Sequence, residues 1–476
     1  MQKKIFKFFS IVSLIIIFFI VYEITDVSNK IINRSLISFD LNNIRNPQVK
    51  KTMRYLNDTF ASFKILFSQK SKTYYNNNDD DRDNFSNEII IKKTDQYSEN
   101  IFPKNHIGEN WHRNHGDSSS IRFSKLKLIN KENLDKLSVA WKYSIPDGKP
   151  LDIQSNAIVA EKKIFISSFN KKIIALDAIS GKPVWEFFLD DIAPRRGMLY
   201  LPGKNGEPSK LIFSSRKKLI CLNAKNGKTI SHFGKNGKVK LKRASITSPA
   251  VFENNLIITT AEPSVEIYDL DKGDLLWKFL LMKKEKDEIG VKKHDYSGGN
   301  PWGGFSLDKN RGIVYITTGN AGRWFNGVNR PGKNKYANSI IALDIKNKKK
   351  LWDFQEVRHD IWNLDIPAPP ILGSITRNKR KIDVVISVTK LGNTLVLDRL
   401  TGKPIYDFHL KKAPKSKVPG EKTNFYQPLV KIPEPFAKQI FTLDDVTNIN
   451  EDSKKYILDK IKNHKYGFFE PYELGK

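Results

Sequence analysis

The chain has 476 residues, a formal net charge of +30, 39% hydrophobic and 11% aromatic content, which suits one large globular domain with an appendage and excludes wholesale disorder. Its lysines are scattered through every segment, as at 171–172, 283–284 and 348–350, among abundant Ile and Asn, so the charge reads as AT-rich coding bias and not as a nucleic-acid surface. The single cysteine, Cys221, excludes an internal disulfide, a CxxC site and a covalently attached haem.

Lys3, Lys4 and Lys7 precede an apolar run from Phe8 to Tyr22 that no A-x-A cleavage signal follows. The run lies between a signal-peptide core and a full span in length, which predicts a signal anchor or transmembrane helix over 1–22. With its basic end in the cytoplasm, that helix would make a single-pass inner-membrane protein whose bulk lies in the periplasm. From 23 to 104 the sequence is polar and irregular, with Asn and Asp crowded over 76–83, so it reads as a linker, partly disordered. The folded domain is expected over 105–476.

There a repeat appears. Ile173-Ile-Ala-Leu-Asp177-Ala-Ile-Ser-Gly181-Lys-Pro-Val-Trp185-Glu-Phe187 finds its match in Val265-Glu-Ile-Tyr-Asp269-Leu-Asp-Lys-Gly273-Asp-Leu-Leu-Trp277-Lys-Phe279. The pattern returns from Asp344 to Phe354, from Asp398 to Phe408, and in degraded form from Asn223 to Phe233. Each copy predicts a strand, a tight turn in which the Asp side chain caps and Gly takes positive φ, and a second strand. A repeat of roughly 40 to 50 residues with an aromatic docking position is the mark of propeller blades, and longer gaps are loop insertions. The fold class is therefore all-β.

Trp302 lies in a Gly-rich stretch, Gly298-Gly299-Asn300-Pro301-Trp302-Gly303-Gly304, eighteen residues before Asn320, which ends the predicted strand Ile313-Val-Tyr-Ile-Thr-Thr-Gly. Further on come Arg358-His359-Asp360-Ile-Trp362-Asn363-Leu-Asp365 and Val388-Thr389-Lys390-Leu-Gly-Asn393. With Trp111-His-Arg-Asn-His-Gly-Asp117, the run from Leu134 to Trp141, Arg196-Gly-Met-Leu-Tyr200, Pro419-Gly-Glu421 and Gln427-Pro428, these motifs carry a resemblance. From about 109 to 476 the chain resembles the pyrroloquinoline quinone (PQQ) dependent quinoprotein dehydrogenases, especially their membrane-anchored glucose and polyol dehydrogenase branch.

The resemblance implies a β-propeller of the eight-bladed type, incomplete here with about five to six blades, whose missing part a separate chain would supply or a truncation would explain. It implies PQQ with Ca²⁺ or a lanthanide, a sugar, polyol or alcohol substrate, and a membrane quinone as electron acceptor. Trp302 would be the aromatic floor under the quinone, Lys390 the cation beside its oxygens, and Thr247 and Asn170 further cofactor contacts. Asn320 would bind the metal, with Glu262 as second ligand or as an ordinary surface glutamate. The family places its catalytic base directly after the Trp of the His-Asp-x-Trp motif, where this chain has Asn363, an amide that cannot take a proton near neutral pH. Three outcomes stay open: Asp365 serves as base or as an extra metal ligand, Asp360 substitutes, or the chain binds cofactor and turns over poorly. An inactive remnant or a PQQ-repeat scaffold for binding or assembly are the competing readings of the whole chain.

Overall fold

The computed structural model describes residues 75–76, 110–145, 154, 156–168, 171–282, 298–322, 324–377, 379–424 and 426–473. All of these lie in the second of two compact units, Ser62–Lys476. The expected membrane helix over 1–22 and nearly all of the linker over 23–104 fall outside the described residues.

Four four-stranded antiparallel sheets follow one another along the chain, and each is built from consecutive strands. The first runs Ile158–Ala160, Lys163–Ser168, Lys172–Asp177, Pro183–Phe188; the second Leu199–Leu201, Lys210–Ser215, Lys218–Asn223, Lys238–Lys240. The third comprises Ala250–Phe252, Asn255–Thr260, Ser264–Asp269, Leu275–Leu280, and the fourth Phe305–Asp308, Ile313–Thr317, Ser339–Asp344, Lys349–Gln355. A fifth sheet holds Ile371–Arg377, Arg380–Val388 and Thr394–Asp398, and a sixth pairs Phe408–Lys412 with Tyr426–Val430 and the short Tyr75–Asn76. A helix over Glu451–Ile461, capped by the Asn450 side chain on the Ser453 N–H, precedes the C-terminal segment.

Successive sheets pack face to face. One apolar cluster joins the first and second sheets through Phe165, Ile173, Leu211 and Phe213; others join the second to the third, the third to the fourth, and the fourth to the fifth. Middle strands are therefore covered on both faces, which is why Ile173–Leu176 and Leu219–Leu222 read as continuous apolar runs, while the outer strand Pro183–Phe188 is largely exposed. Cys221 belongs to one of these clusters, and burial pushes its thiol up to about 12, so it carries no chemistry.

The repeat turns form as the sequence predicts. Asp177 Oδ1 accepts the Ser180 N–H at 2.7 Å, Asp269 Oδ1 the Lys272 N–H at 2.7 Å and Asp398 Oδ1 the Thr401 N–H at 2.8 Å. Gly181, Gly227, Gly273 and Gly402 close the turns at φ of 70°, 72°, 78° and 70°. A second demand falls on these glycines: a Cβ on Gly181, Gly227 or Gly402 would lie 2.4, 2.7 or 2.5 Å from the indole of Trp141, Trp185 or Trp352. Each indole N–H also donates into the turn it covers, Trp141 to Ala178 O, Trp185 to Ala224 O and Trp352 to Arg399 O, at 3.3, 3.1 and 3.1 Å. Trp185 and Trp352, on the outer strands of the first and fourth sheets, thus dock on the turns of the next, and Trp141, ahead of the first sheet, docks on its turn.

Two copies depart from the expected strand-turn-strand. After Asn223 the chain makes only a bridge at Thr229 and buries Phe233, and the outer strand forms late, at Lys238–Lys240. There Val239 instead of a Trp presses on Gly273. After Asp398 a single bridge joins Leu397 to Pro404, and Pro404 has no N–H to extend the ladder.

Gly402→Ala should cost about 1–2 kcal/mol for the positive φ and about 1–3 kcal/mol more for the clash with Trp352. Gly206→Ala, at φ of 84° with nothing within 4 Å of the added Cβ, should cost only the first part. Denaturant midpoints of the two variants check the difference.

Candidate active site

Four stretches of backbone meet beyond the strand ends of the fourth and fifth sheets. They are the glycine-rich 298–304, the turn 318–320, the loop 359–367, and the turn 389–393. The first two are laced by Gly298 N–H to Ala321 O at 3.0 Å, Gly299 N–H to Asn320 O at 2.5 Å and Gly319 N–H to Asn300 O at 3.1 Å. Gly319 is needed for close approach: a Cβ there would sit 2.9 Å from both Trp302 Nε1 and Asp365 Oδ1.

The loop 359–367 is held from several sides. Asp360 is 1% exposed, and its carboxylate accepts the Trp362 and Leu364 N–H groups, both at 2.9 Å, and Asn338 Nδ2 at 2.7 Å. Burial outweighs those bonds and raises its carboxyl above the usual range. His359 Nε2 meets Glu421 Oε1 at 2.7 Å, both side chains 2% exposed. Arg330, 1% exposed, donates to Gly322 O at 2.7 Å, to Asn334 Oδ1 at 2.6 Å and to Asp360 O. On the outer side Trp362 and Leu364 join Phe468 and Phe469 in an apolar cluster, and Trp362 Nε1 donates to Glu470 O at 3.0 Å. Asn363 lies between those two anchors at φ of 61°, a left-handed conformation that Asn tolerates.

This frame brings Asp365 to the heart of the site. Its Oδ1 accepts the Asn320 N–H and its Oδ2 lies 3.0 Å from Lys390 Nζ, which also donates to Asn363 O at 3.2 Å. Lys390 Nζ is 5.9 Å from the centre of the Trp302 ring, and the Arg196 guanidinium is 5.4 Å from it. Beside Trp302 opens a cavity of about 260 Å³ lined by Arg113, Asn114, His115, Arg196 and Thr247, among others, and by no acid among the described residues.

Arg113 is anchored by Ser248 O at 3.0 Å, and burial lowers it to about 10 against the opposing pull of Asp117, so it keeps its charge. His115 receives the Arg122 Nε–H on Nδ1 at 3.1 Å; burial, then Arg122 and Arg113, push it down to about 3, so the ring is neutral. Two guanidinium cations and a flat aromatic wall make a receptor for a planar anion.

Of the residues expected from sequence, Trp302, Asn320, Lys390 and Asp365 come together, and Thr247 lines the adjoining cavity, its hydroxyl 2.6 Å from Thr259 Oγ1. Asn170 lies outside the described residues. Glu262 takes the second of its two readings: it pairs with Lys278 at 2.6 Å on the third sheet. Asp360 is likewise spent on holding its loop and does not reach the cavity. Arg113, His115 and Arg196 are additions. Their segments carried the resemblance, yet nothing in the local pattern marked these side chains as cavity-lining.

The arrangement fits PQQ, an anionic planar quinone, because the cations, the Trp302 face and the Cβ-free approach at Gly319 are all present. For a calcium-type ion, which takes six to eight oxygens, the donors are short. Asp365 is neutralised by Lys390, Asn320 Oδ1 accepts the Gly322 N–H at 2.7 Å, Glu262 is paired with Lys278, and in these four stretches the buried oxygens without a partner are two amide ones, Asn300 Oδ1 and Asn363 Oδ1. Among the described residues no three His, Cys, Asp or Glu side chains cluster as metal ligands. The residues do not fit a protein-held metal, and no step below runs through one.

Four-stranded antiparallel sheets stacked face to face in chain order define an all-β, propeller-type fold. The chain belongs to the family described as PQQ: Glucose/ethanol/alcohol dehydrogenase, beta-propeller domain, which matches residues 111–475. It is 29% identical over 353 residues to the quinoprotein glucose dehydrogenase of Escherichia coli (strain K12), covering 64% of this chain and 44% of that protein. The glycerol dehydrogenase large subunit of Gluconobacter oxydans (strain 621H) is 28% identical over 357 residues, 66% of this chain and 48% of the relative. The chain thus spans about half the length of the curated relatives it matches. Among solved structures, the quinohemoprotein alcohol dehydrogenase from Comamonas testosteroni superposes with a TM-score of 0.53 at 23% identity, covering 66% of this chain and 52% of the other, which establishes a shared fold.

Arg330→Met leaves two oxygen acceptors, Gly322 O and Asn334 Oδ1, without their donor at about 1–3 kcal/mol for each that water cannot reach, while Asp360 O keeps the Asn320 Nδ2 bond. The expected outcome is a lower denaturant midpoint together with faster proteolysis of the loop 321–337.

Proposed function

We propose that this chain is the cofactor-binding part of a PQQ-dependent dehydrogenase that oxidises a hydroxyl of a sugar, polyol or alcohol. The reading is carried by one observation: the Asp365 carboxylate, fixed by Lys390 and the Asn320 N–H, meets the Trp302 indole nitrogen over Gly319, and Trp302 in turn walls the cation-lined cavity. The fit of that cavity to an anionic quinone and the family membership support it. A membrane quinone as acceptor, and a periplasmic site tethered through 1–22, belong to the same proposal.

PQQ, when bound, supplies a two-electron oxidant for the substrate's C–H bond. Trp302 would give the ring a face to stack on, and Arg113 and Arg196 would hold its carboxylates. Lys390 would supply positive charge to stabilise the reduced group. Asp365 takes the proton of the substrate hydroxyl. It is the one carboxylate at this position, because Asn363 has no basic lone pair and Asp360 is saturated by N–H donors.

Asp365→Asn should lower turnover by about 10²- to 10⁴-fold, the usual worth of a general base. PQQ binding, followed by quenching of Trp302 fluorescence, should change far less. Asn363→Asp, which restores an acid where the family has its base, should alter turnover by less than about threefold. A large gain in Asn363→Asp with little loss in Asp365→Asn would place the base at 363 and mark the native chain as impaired.

A further inference from the structure

Behind the site, the third and fourth strands of the fourth sheet end on the Ser339–Gln355 pair, and the next two residues stay joined: Glu356 N–H donates to Asn338 O at 2.9 Å, although Asn338 has turned out of the pleat into a left-handed conformation at φ of 48°. Both residues are 0% exposed.

Each is bound on one side only. Glu356 Oε1 accepts Thr389 Oγ1 and Asn393 Nδ2, both at 2.9 Å, and these two residues close the turn that presents Lys390. Asn338 Nδ2 donates to Asp360 Oδ2 at 2.7 Å and Leu364 O at 2.8 Å, and these belong to the loop that presents Asp365. What remains is Glu356 Oε2 and Asn338 Oδ1, two buried acceptors without a partner. An ionised glutamate would leave both unpaired, at a cost of about 1–3 kcal/mol each. A proton on Oε2 turns one of them into a donor for the other.

We propose that Glu356 is held as the neutral carboxylic acid and donates its Oε2 proton to Asn338 Oδ1, and that this bond clasps the Lys390 turn to the Asp365 loop. Glu356 is a positioning residue: it touches neither cavity nor substrate, and acts through the two elements whose tips make the Lys390–Asp365 pair. Desolvation raises its carboxyl to about 7, and the neighbouring Asp360 adds to the rise against the bonds from Asn393 and Thr389. No cation compensates it among the groups that face it. Lys390 turns to Asp365, His359 is bound to Glu421 and Gly332 O, and Gln439 from the 433–442 segment meets Asn393 Oδ1. An acid whose folded pKa lies above its ordinary value stabilises most below that ordinary value, and the contribution is lost as pH rises through about 7.

The test compares the wild-type chain with Glu356→Gln, whose amide N–H donates to Asn338 at every pH while its oxygen still accepts from Thr389 and Asn393. Infrared difference spectra between the two should show a protonated carboxyl band at low pH that fades with a midpoint near 7. The wild-type melting temperature should fall across the same range more than that of Glu356→Gln. PQQ affinity, read by Trp302 quenching, should weaken about tenfold from about pH 5.5 to about pH 8.5 in wild type, the worth of one hydrogen bond, and stay level in Glu356→Gln. Absence of the acid band at low pH, or equal pH profiles in the two proteins, would overturn the proposal. The affinity arm rests on the proposed PQQ reading. If PQQ fails to bind at any pH, that reading falls, while the infrared and melting arms still decide the clasp.

Discussion

An indole pressed flat on a glycine turn is the contact on which the rest of this molecule depends. Trp141, Trp185 and Trp352 each cover the turn of the following sheet and donate their N–H to a carbonyl within it. A single antiparallel sheet cannot bury its two faces alone, and a stack of them can slide. The indole removes that freedom, because it fits only where a residue without Cβ closes the turn. Where it acts between sheets, from the first to the second and from the fourth to the fifth, an apolar cluster fills the interface behind it, and between the second and third Val239 takes its place on Gly273.

That scaffold positions the site through its loops. Strands in the fourth and fifth sheets end at a common level, so the turn carrying Asn320, the loop carrying Asp365 and the turn carrying Lys390 converge although they come from residues 320, 365 and 390. The loop 359–367 holds its alternation under tension from both sides, with Trp362 and Leu364 packed outward against Phe469 and Phe468, and Asp365 turned in toward Trp302. The buried groups behind it, Arg330, Asp360, His359 with Glu421, and Asn338 with Glu356, all spend hydrogen bonds on the loop backbone or on its anchors. A precise anion receptor thus stands on polar groups that water never reaches, where each satisfied bond is worth most.

Charge divides in the same way. Most of the excess lysine is scattered over the surface, yet Arg196 and Lys390 lie close to the Trp302 ring and Arg113 lines the cavity beside it, with Asp365 answering Lys390 and Asp117 answering Arg113. The local balance near Trp302 is cationic for a reason that the global charge does not reveal. Glu262, which sequence context offered as a second acid for this site, is drawn off by Lys278 on its own sheet.

By itself the sequence determined the all-β class, the repeated Asp-x-x-x-Gly turn with its Trp, the place of Trp302 and Asn320, and the substitution of Asn363 for the expected aspartate. These are legible because each is a local rule: alternation, turn chemistry, or a motif of fixed spacing. Where local rules conflicted, at Phe233 and Pro404, the expected outer strands did not follow, since burial of an aromatic and a missing N–H override the repeat. Only the tertiary structure decided that Asp365 and not Asp360 meets Lys390, that Arg113, His115 and Arg196 line the cavity, and that Glu356 and Asn338 are joined and buried together. Those are choices between acids and cations close together in sequence, settled by which N–H, carbonyl or ring the fold brings within reach, and no pattern along the chain records that reach.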